Sequence, residues 1–301
     1  MSITGQNLSI VIVTIKSENV IFKCLDSIDP KIPVFIIENS SDSKFKNLLE
    51  SKYKNVQCFL TEKNLGMGSG NNVGIRLVET NNVLILNPDV VLEPNTLEEL
   101  MISSQKNQDF AILSPISIDS NYPNYKLHHE NDINRQVDFL FKVKSVDGYA
   151  MLFNKKKINE ILKNESDNKK LDYFDENFFM YLENDDLCKR IKKNNGGIFV
   201  SSKAKINHLG NKAVNEKYRQ EVELSRNWHW IWSKFYFRKK HYGYLRAVMC
   251  GFPKFFFSIL KYIYYLIINN RDKKKIYLNR ASGFFNAAIG KSSWYRPNIN
   301  F

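Results

Sequence analysis

Over its first ninety residues the chain alternates short β-branched runs with segments whose apolar residues recur at helical spacing. The runs are Leu8–Thr14 (LSIVIVT), Val34–Ile37 (VFII), Val56–Leu60 (VQCFL) and Val83–Leu86 (VLIL). Each is too short for a stable helix and, where apolar throughout, reads as a strand buried on both faces. Between them, Val20, Ile21, Cys24, Leu25 and Ile28 mark one helix, Ser43–Tyr53 a second and Asn72–Glu79 a third. Pro30 and Pro33 close the first of these. This alternation demands a mostly parallel sheet covered by helices. Such sheets bind ligands beyond the carboxyl ends of their strands, so chemistry is sought at Thr14-Ile15-Lys16, Glu38–Asp42, Asn64–Gly74 and Asn87-Pro88-Asp89.

Taken singly, these segments are ambiguous. Asn64–Gly74 (NLGMGSGNNVG) is glycine-dense and leads into a helix, which suits phosphate approach, but it is neither a dinucleotide fingerprint nor a Walker sequence. It reads equally as a turn-rich loop. Asn-Pro-Asp is a common turn, and it is also a place where a carboxylate can hold a hard cation against a diphosphate.

Charge divides the chain unevenly. The net charge is +13, yet from Lys203 onward 20 Lys and Arg face four acids, a net of +16, while residues 1–202 carry a net of −3. A near-neutral body with a basic C-terminal third points to an anionic partner. The four cysteines (Cys24, Cys58, Cys188, Cys250) form no C-x-x-C pair, which argues against a disulfide scaffold or zinc ribbon and fits a reducing compartment. The start is polar and its first apolar run, Ile10–Val13, is four residues long, so no secretory leader is expected. The Lys/Asn-rich stretch 155–170 reads as a solvated helix end and loop.

In order and spacing, the segments together resemble the family 2 glycosyltransferases, and within them the rhamnosyltransferase-like branch. The correspondence runs through IVTIK (Ile12–Lys16), IENSSD (Ile37–Asp42), NLGMGSGNNVG (Asn64–Gly74) and LNPD (Leu86–Asp89). It continues in VDGYA (Val146–Ala150), FDENFFMYLENDDLCKR (Phe174–Arg190), His208, Arg226-Asn227 and GKSSWYRP (Gly290–Pro297).

The resemblance implies an α/β GT-A fold: a Rossmann-like, mostly parallel central sheet flanked by helices, here with a basic helical C-terminal extension. Residues 1–115 would form the nucleotide-sugar-binding half, 116–215 the acceptor-binding and catalytic half, and 216–301 the basic helical region. It also implies inverting transfer of a sugar from a nucleotide diphosphate, with a deoxysugar such as rhamnose favoured, to a glycan acceptor of lipid-linked type. Thr14, Glu38, Asn64 and Asn72 would line the nucleoside, with Glu38 accepting from the base imide. Asn87 and Gly148 would lie beside the donor. Asp89 would bind Mg2+ or Mn2+ with the diphosphate, and His208 would complete that site or bond the phosphates.

The sequence departs from the family pattern in three places. Ile15 and Lys16 replace an aromatic residue and Asn, and Lys16 reads as either phosphate-reaching or solvated. Glu38 replaces Asp and keeps the carboxylate. The third departure bears on the general base, because Asn184 stands where the family has Asp, and an amide cannot take a proton at neutral pH. Glu183 is the natural substitute and Asp185 the second choice, while Asp186 reads as a helix-orienting residue. An inactive homologue that binds a nucleotide sugar or a membrane is the alternative.

Phe252–Ile268 is the most apolar stretch of the chain, interrupted by Pro253, Lys254 and Lys261. It reads as a helix lying on an anionic membrane surface, as a helix packed on the catalytic domain or, least favourably, as a span. The expected location is the cytoplasmic face of the inner membrane. Trp228, Trp230 and Trp232 are spread around a helix and offer no stacking platform, so nucleic acid is not an expected partner.

Overall fold

The computed structural model describes residues 7–128, 139–163, 172–210 and 214–298. The chain divides into two compact units, Met1–Asp175 with Asn184–Asn215 and Glu176–Glu183 with Glu216–Phe301. Segment 176–183, read from sequence as part of the catalytic half, therefore groups with the C-terminal helices.

The first unit is a mixed α/β layer structure. Strands β1 (Leu8–Thr14), β2 (Val34–Glu38), β3 (Val56–Leu60) and β4 (Asn82–Leu86) pair in parallel in the order β3-β2-β1-β4. The sheet continues from β4 through an antiparallel strand from later in the chain. With β5 (Val90–Leu92), β6 (Phe110–Ser117), β7 (Tyr125–Lys126), β8 (Leu140–Lys142), β9 (Ser145–Val146), β10 (Ala150–Asn154) and β11 (Gly197–His208), the order runs β3-β2-β1-β4-β10-β6-β11-β5. β8 pairs with β11, while β7 and β9 form a separate two-stranded ribbon.

Helices cover both faces, as the all-apolar strands require. Along β1, Ile10 and Ile12 enter one core with residues of α1 (Ile21–Asp26), α2 (Ser43–Lys52) and α4 (Thr96–Lys106). Val11 points the other way, into a core with residues of α3 (Met67–Leu77), α5 (Lys155–Leu162) and α6 (Glu183–Lys193).

Two local readings are corrected. The glycine-dense segment is not a loop before a helix, because α3 already begins at Met67 and includes Gly68, Gly70 and Gly74. The reason is close packing on β1. A Cβ on Gly74 would lie 2.3 Å from Val11 Cγ1, and one on Gly70 would lie 2.9 Å from Val13 Cγ1. Gly66, with φ +83°, makes the turn into the helix. Lys155 is not simply solvated, since its ammonium donates to the Ile75 and Val78 carbonyls at the C-terminal end of α3. The remainder of that Lys/Asn-rich stretch, 164–170, lies outside the described residues.

The second unit is built on α7 (Arg219–Tyr242), α8 (Tyr244–Ile267) and α9 (Arg271–Ala288). Trp228 and Trp232, one turn apart, stack at 6.3 Å in its core with Phe235 and Phe284, while Trp230 is exposed. Segment 176–183 is fastened to this core. Phe178 meets Tyr236 edge-on, Phe179 packs on His229, the Arg296 guanidinium lies over the Phe179 ring at 3.7 Å, and Ser233 donates to the Met180 carbonyl at 2.7 Å. These contacts account for the aromatic run Phe178-Phe179-Met180-Tyr181. They also hold Tyr181 and Leu182 in left-handed backbone conformations (φ +71° and +69°), a costly pair for residues with side chains.

Candidate functional site

The carboxyl ends of the central strands gather the predicted polar residues of the first unit. Thr14 and Glu38 are register partners at the ends of β1 and β2, and both are fully buried. Thr14 Oγ1 has no hydrogen-bond partner among the described residues. The Glu38 carboxylate turns back on its own loop and accepts from the backbone amides of Ser40 (3.0 Å) and Asp42 (2.8 Å) and from the Ser40 hydroxyl. Burial raises its pKa above the ordinary carboxylate range, against these hydrogen bonds and the nearby Lys16 charge. Lys16 is paired with Asp42 at 3.4 Å and is largely covered, so it is neither simply solvated nor reaching outward.

Asn39, two residues from Asp42's neighbour Ser41, ties β2 to the start of α3. Its Nδ2 donates to the Gly66 carbonyl at 3.2 Å, and its Oδ1 accepts from Thr61 Oγ1 and the Leu65 amide. Asn64 is half-buried and caps the same turn, accepting from the Gly66 amide at 3.0 Å. Asn72 has a different task from bordering a nucleoside. Its carboxamide clasps the backbone of Phe174, donating to the carbonyl at 2.8 Å and accepting from the amide at 2.9 Å, which fastens α3 to segment 172–175.

Asp89 follows β4 and is 3 % exposed. The last residues of β11 pair with β5, His208 opposite Val90, and the Leu209 amide donates to the Asp89 carbonyl at 2.9 Å. This register sets His208 Nε2 3.5 Å from Asp89 Oδ2. Asp89 Oδ1 is buried with no donor among the described residues. The His208 ring stacks on Tyr149 with centroids 4.1 Å apart. Burial, with the charges of Asp147, Asp119 and Asp89, pushes the Tyr149 phenol up. Half-buried Asn87 donates its amide to the Tyr149 carbonyl at 2.9 Å, so β4 and the 147–149 segment meet beside Asp89.

A buried carboxylate oxygen without a donor is costly unless something positive meets it. Asp89, with an imidazole nitrogen alongside, therefore fits a divalent cation. Among the described residues no group of three or more His, Cys, Asp or Glu could hold a metal alone.

The head of α6 supplies the acids. Asn184 donates through Nδ2 to the Val146 carbonyl at 2.9 Å, and its Cβ lies 3.3 Å from where a Cβ on Gly148 would be. Gly148 thus permits this close approach. Asp185 pairs with Lys126 at 2.9 Å. Asp186 is fully buried and accepts from Arg190 Nε at 2.9 Å, and Arg190 also bonds the Tyr173 carbonyl, in keeping with an orienting role. Glu183 opens α6 and belongs to the second unit, where burial raises the Tyr181 phenol, Arg226 opposes this and the Glu183 charge adds to it.

Sequence reasoning passed over Asp147 and Lys126. Burial raises the Asp147 pKa, Lys126 and His208 oppose this, and Asp185 adds to it. An acid directly before Gly148 was the available signal. Lys126, on a two-residue strand, carried none.

The family model described as Glycosyl transferase family 2 matches residues 9–185. The low-salt glycan biosynthesis hexosyltransferase Agl10 of Haloferax volcanii is 28 % identical over 205 residues, 63 % of this chain and 62 % of that protein, so the chain spans less than two thirds of that relative. GalNAc-T7, solved with UDP, GalNAc and Mn2+, superposes with a TM-score of 0.56 at 12 % identity, over 81 % of this chain and 56 % of its own. TarS 1–349 of S. aureus gives 0.51 at 15 % identity, over 96 % and 93 %. Likeness at these identities is a likeness of fold.

Proposed function

Because this chain belongs to glycosyl transferase family 2, we propose that it is an inverting glycosyltransferase that uses a uridine or thymidine diphosphate sugar and elongates a lipid-linked glycan. The observation that carries the reading is buried Asp89 beside His208 at the carboxyl edge of the sheet, with one carboxylate oxygen lacking a donor among the described residues.

In this reading the nucleoside lies at Thr14, Glu38 and Asn64, and Asn87 and Gly148 border the sugar diphosphate. Glu38 is fully buried and each of its oxygens already accepts from its own loop, so accepting from a base imide would mean exchanging one of these bonds for it. Asp89 and His208 would hold Mn2+ or Mg2+, which would stabilise the charge developing on the diphosphate as it leaves. An acceptor hydroxyl oxygen attacks the anomeric carbon, the bond from that carbon to the diphosphate oxygen breaks, and configuration inverts. The hydroxyl proton passes to a carboxylate. Glu183 takes this role as the carboxylate next to Asn184, the position at which the resembled family carries its base, and Asn184 itself is a donor to Val146.

A glycan acceptor is supported by the Haloferax relative, a hexosyltransferase of glycan biosynthesis. The deoxyhexose donor, the lipid carrier and action at the cytoplasmic face of the inner membrane rest on sequence resemblance, cysteine usage and the basic C-terminal third.

The test is hydrolysis and transfer with a panel of sugar nucleotides, with and without Mn2+. Turnover of one uridine or thymidine diphosphate sugar that EDTA abolishes supports the proposal. Binding of a sugar nucleotide without turnover under any acceptor and cation would instead support an inactive binding homologue.

A further inference from the structure

The second unit carries a surface that glycosyl transfer does not use. α8 buries one side, through Ala247, Gly251 and Ser258, against its neighbours. Its opposite side displays Leu245, Met249, Phe252, Phe256, Leu260 and Ile263, all exposed. The spacing of four, three, four, four and three residues keeps them on one line along the helix, a stripe about 27 Å long. Leu245 is 77 % exposed and Met249 75 %. Isolated exposed apolar residues are ordinary, but a continuous stripe of this length marks an interaction surface. Among the described residues no helix is long and apolar enough to cross a membrane.

The charges around the stripe narrow the choice of occupant. Between Glu223 and Asp272 the sequence has no acid. Arg246, Lys254 and Lys261 lie on α8 itself, and Arg271, Lys273, Lys274 and Lys275 begin α9. Lys234 of α7 sits 3.7 Å over the Trp230 ring, and Arg280 of α9 bonds Asn227 at 2.7 Å. Neither forms an ion pair among the described residues. Burial lowers the Lys234 pKa to about 8, and the crowding charges of Lys254, Arg238 and Arg280 contribute. A second copy of α8 would bring like charges together with no acid on either side. A bilayer bearing anionic headgroups satisfies both features, since acyl chains receive the stripe and phosphates receive the cations.

We propose that the outward face of α8 docks flat on an anionic bilayer, with the Leu245–Ile263 stripe in the headgroup–acyl boundary and exposed Arg246 and Arg271, at the two ends of the helix, at the phosphates. This docking does not depend on the glycosyl-transfer reading.

The experiment is flotation of the full chain with vesicles of phosphatidylcholine alone and of an equal mixture of phosphatidylcholine and phosphatidylglycerol. The chain should float with the mixed vesicles, stay behind with phosphatidylcholine, and partition less as salt rises. Phe256→Glu with Leu260→Glu should weaken partition about tenfold or more. Arg246→Ala with Arg271→Ala should weaken it and flatten the salt dependence. All four positions are exposed, and thermal melting in parallel checks that folding is intact. No flotation with the anionic vesicles overturns the proposal, as does equal flotation with both compositions. A dimer in sedimentation that Phe256→Glu dissolves would overturn it too, by assigning the stripe to a second copy.

Discussion

Asn184 donates its side-chain amide to the Val146 carbonyl at 2.9 Å, joining the head of α6 to the segment that ends in Gly148. The residue that departs from the family pattern is therefore a structural donor. Asp at this position could not donate and would set a charge against the carbonyl, close to Asp147 and Asp185. Asn184→Asp should cost about 1–3 kcal/mol, lower the melting temperature by several degrees and give no gain in rate. Calorimetry together with a transfer assay checks this. A faster, equally stable variant would show that the position remains a catalytic one.

Asp89 has an exposure of 3 % and lacks a donor at Oδ1 among the described residues. Asp89→Ala removes a carboxylate that the fold does not satisfy, so the protein should stay folded. Turnover should fall by about a hundredfold or more, and added Mn2+ should no longer stimulate it. Near wild-type turnover of this variant in EDTA would remove Asp89 and His208 from the proposed cation site.

The three acids at the head of α6 should separate by kinetics. Glu183→Gln should abolish transfer and leave sugar-nucleotide affinity nearly unchanged, since a base meets the acceptor. Asp185→Asn breaks an ion pair with a largely exposed Lys126, worth about 1 kcal/mol or less, and should keep most of the rate. Loss of transfer in Asp185→Asn with activity retained in Glu183→Gln would move the base by two residues.

The sheet and its polar edge were legible because their signals are local. An apolar β-branched run such as Leu8–Thr14 can be little else than a buried strand, and Asp89 follows such a run directly. His208 beside Asp89 depends on a late strand pairing with β5, a long-range event that residue spacing does not encode and that only the resemblance suggested. The glycines of Asn64–Gly74 misled because Gly serves equally for a loop and for a helix that must approach a strand closely. Segment 176–183 was assigned to the wrong neighbours because its aromatic anchors, Phe178 and Phe179, meet partners from α7 and the C-terminal segment.

Gly74 gives that ambiguity a measurable form. A methyl group there would lie 2.3 Å from Val11 Cγ1 in the centre of the sheet. Gly74→Ala should gain helix propensity yet destabilise the protein by about 1–3 kcal/mol through overpacking. Chemical denaturation reads the sign directly. A stabilised variant would mean that α3 does not press on β1 as closely as the structure has it.

His229 provides a pH-dependent test of the second unit. It is fully buried in α7, its Nε2 lies 2.7 Å from the Tyr295 carbonyl, and its Nδ1 has no partner among the described residues. Burial lowers its pKa from 6.5 to about 4, against the Tyr295 carbonyl and with help from the Arg296 charge. A lowered histidine pKa means that the unfolded chain binds the proton first. Stability is therefore complete above about pH 6.5, falls as pH drops through the window between 6.5 and 4, and levels below it. The loss approaches about 3 kcal/mol. His229→Gln can still donate to the Tyr295 carbonyl but does not titrate, so its melting temperature should lose this part of the acid dependence. Melting curves of both proteins between pH 7 and pH 4 decide the matter. Parallel acid profiles would show that His229 is not the group that titrates.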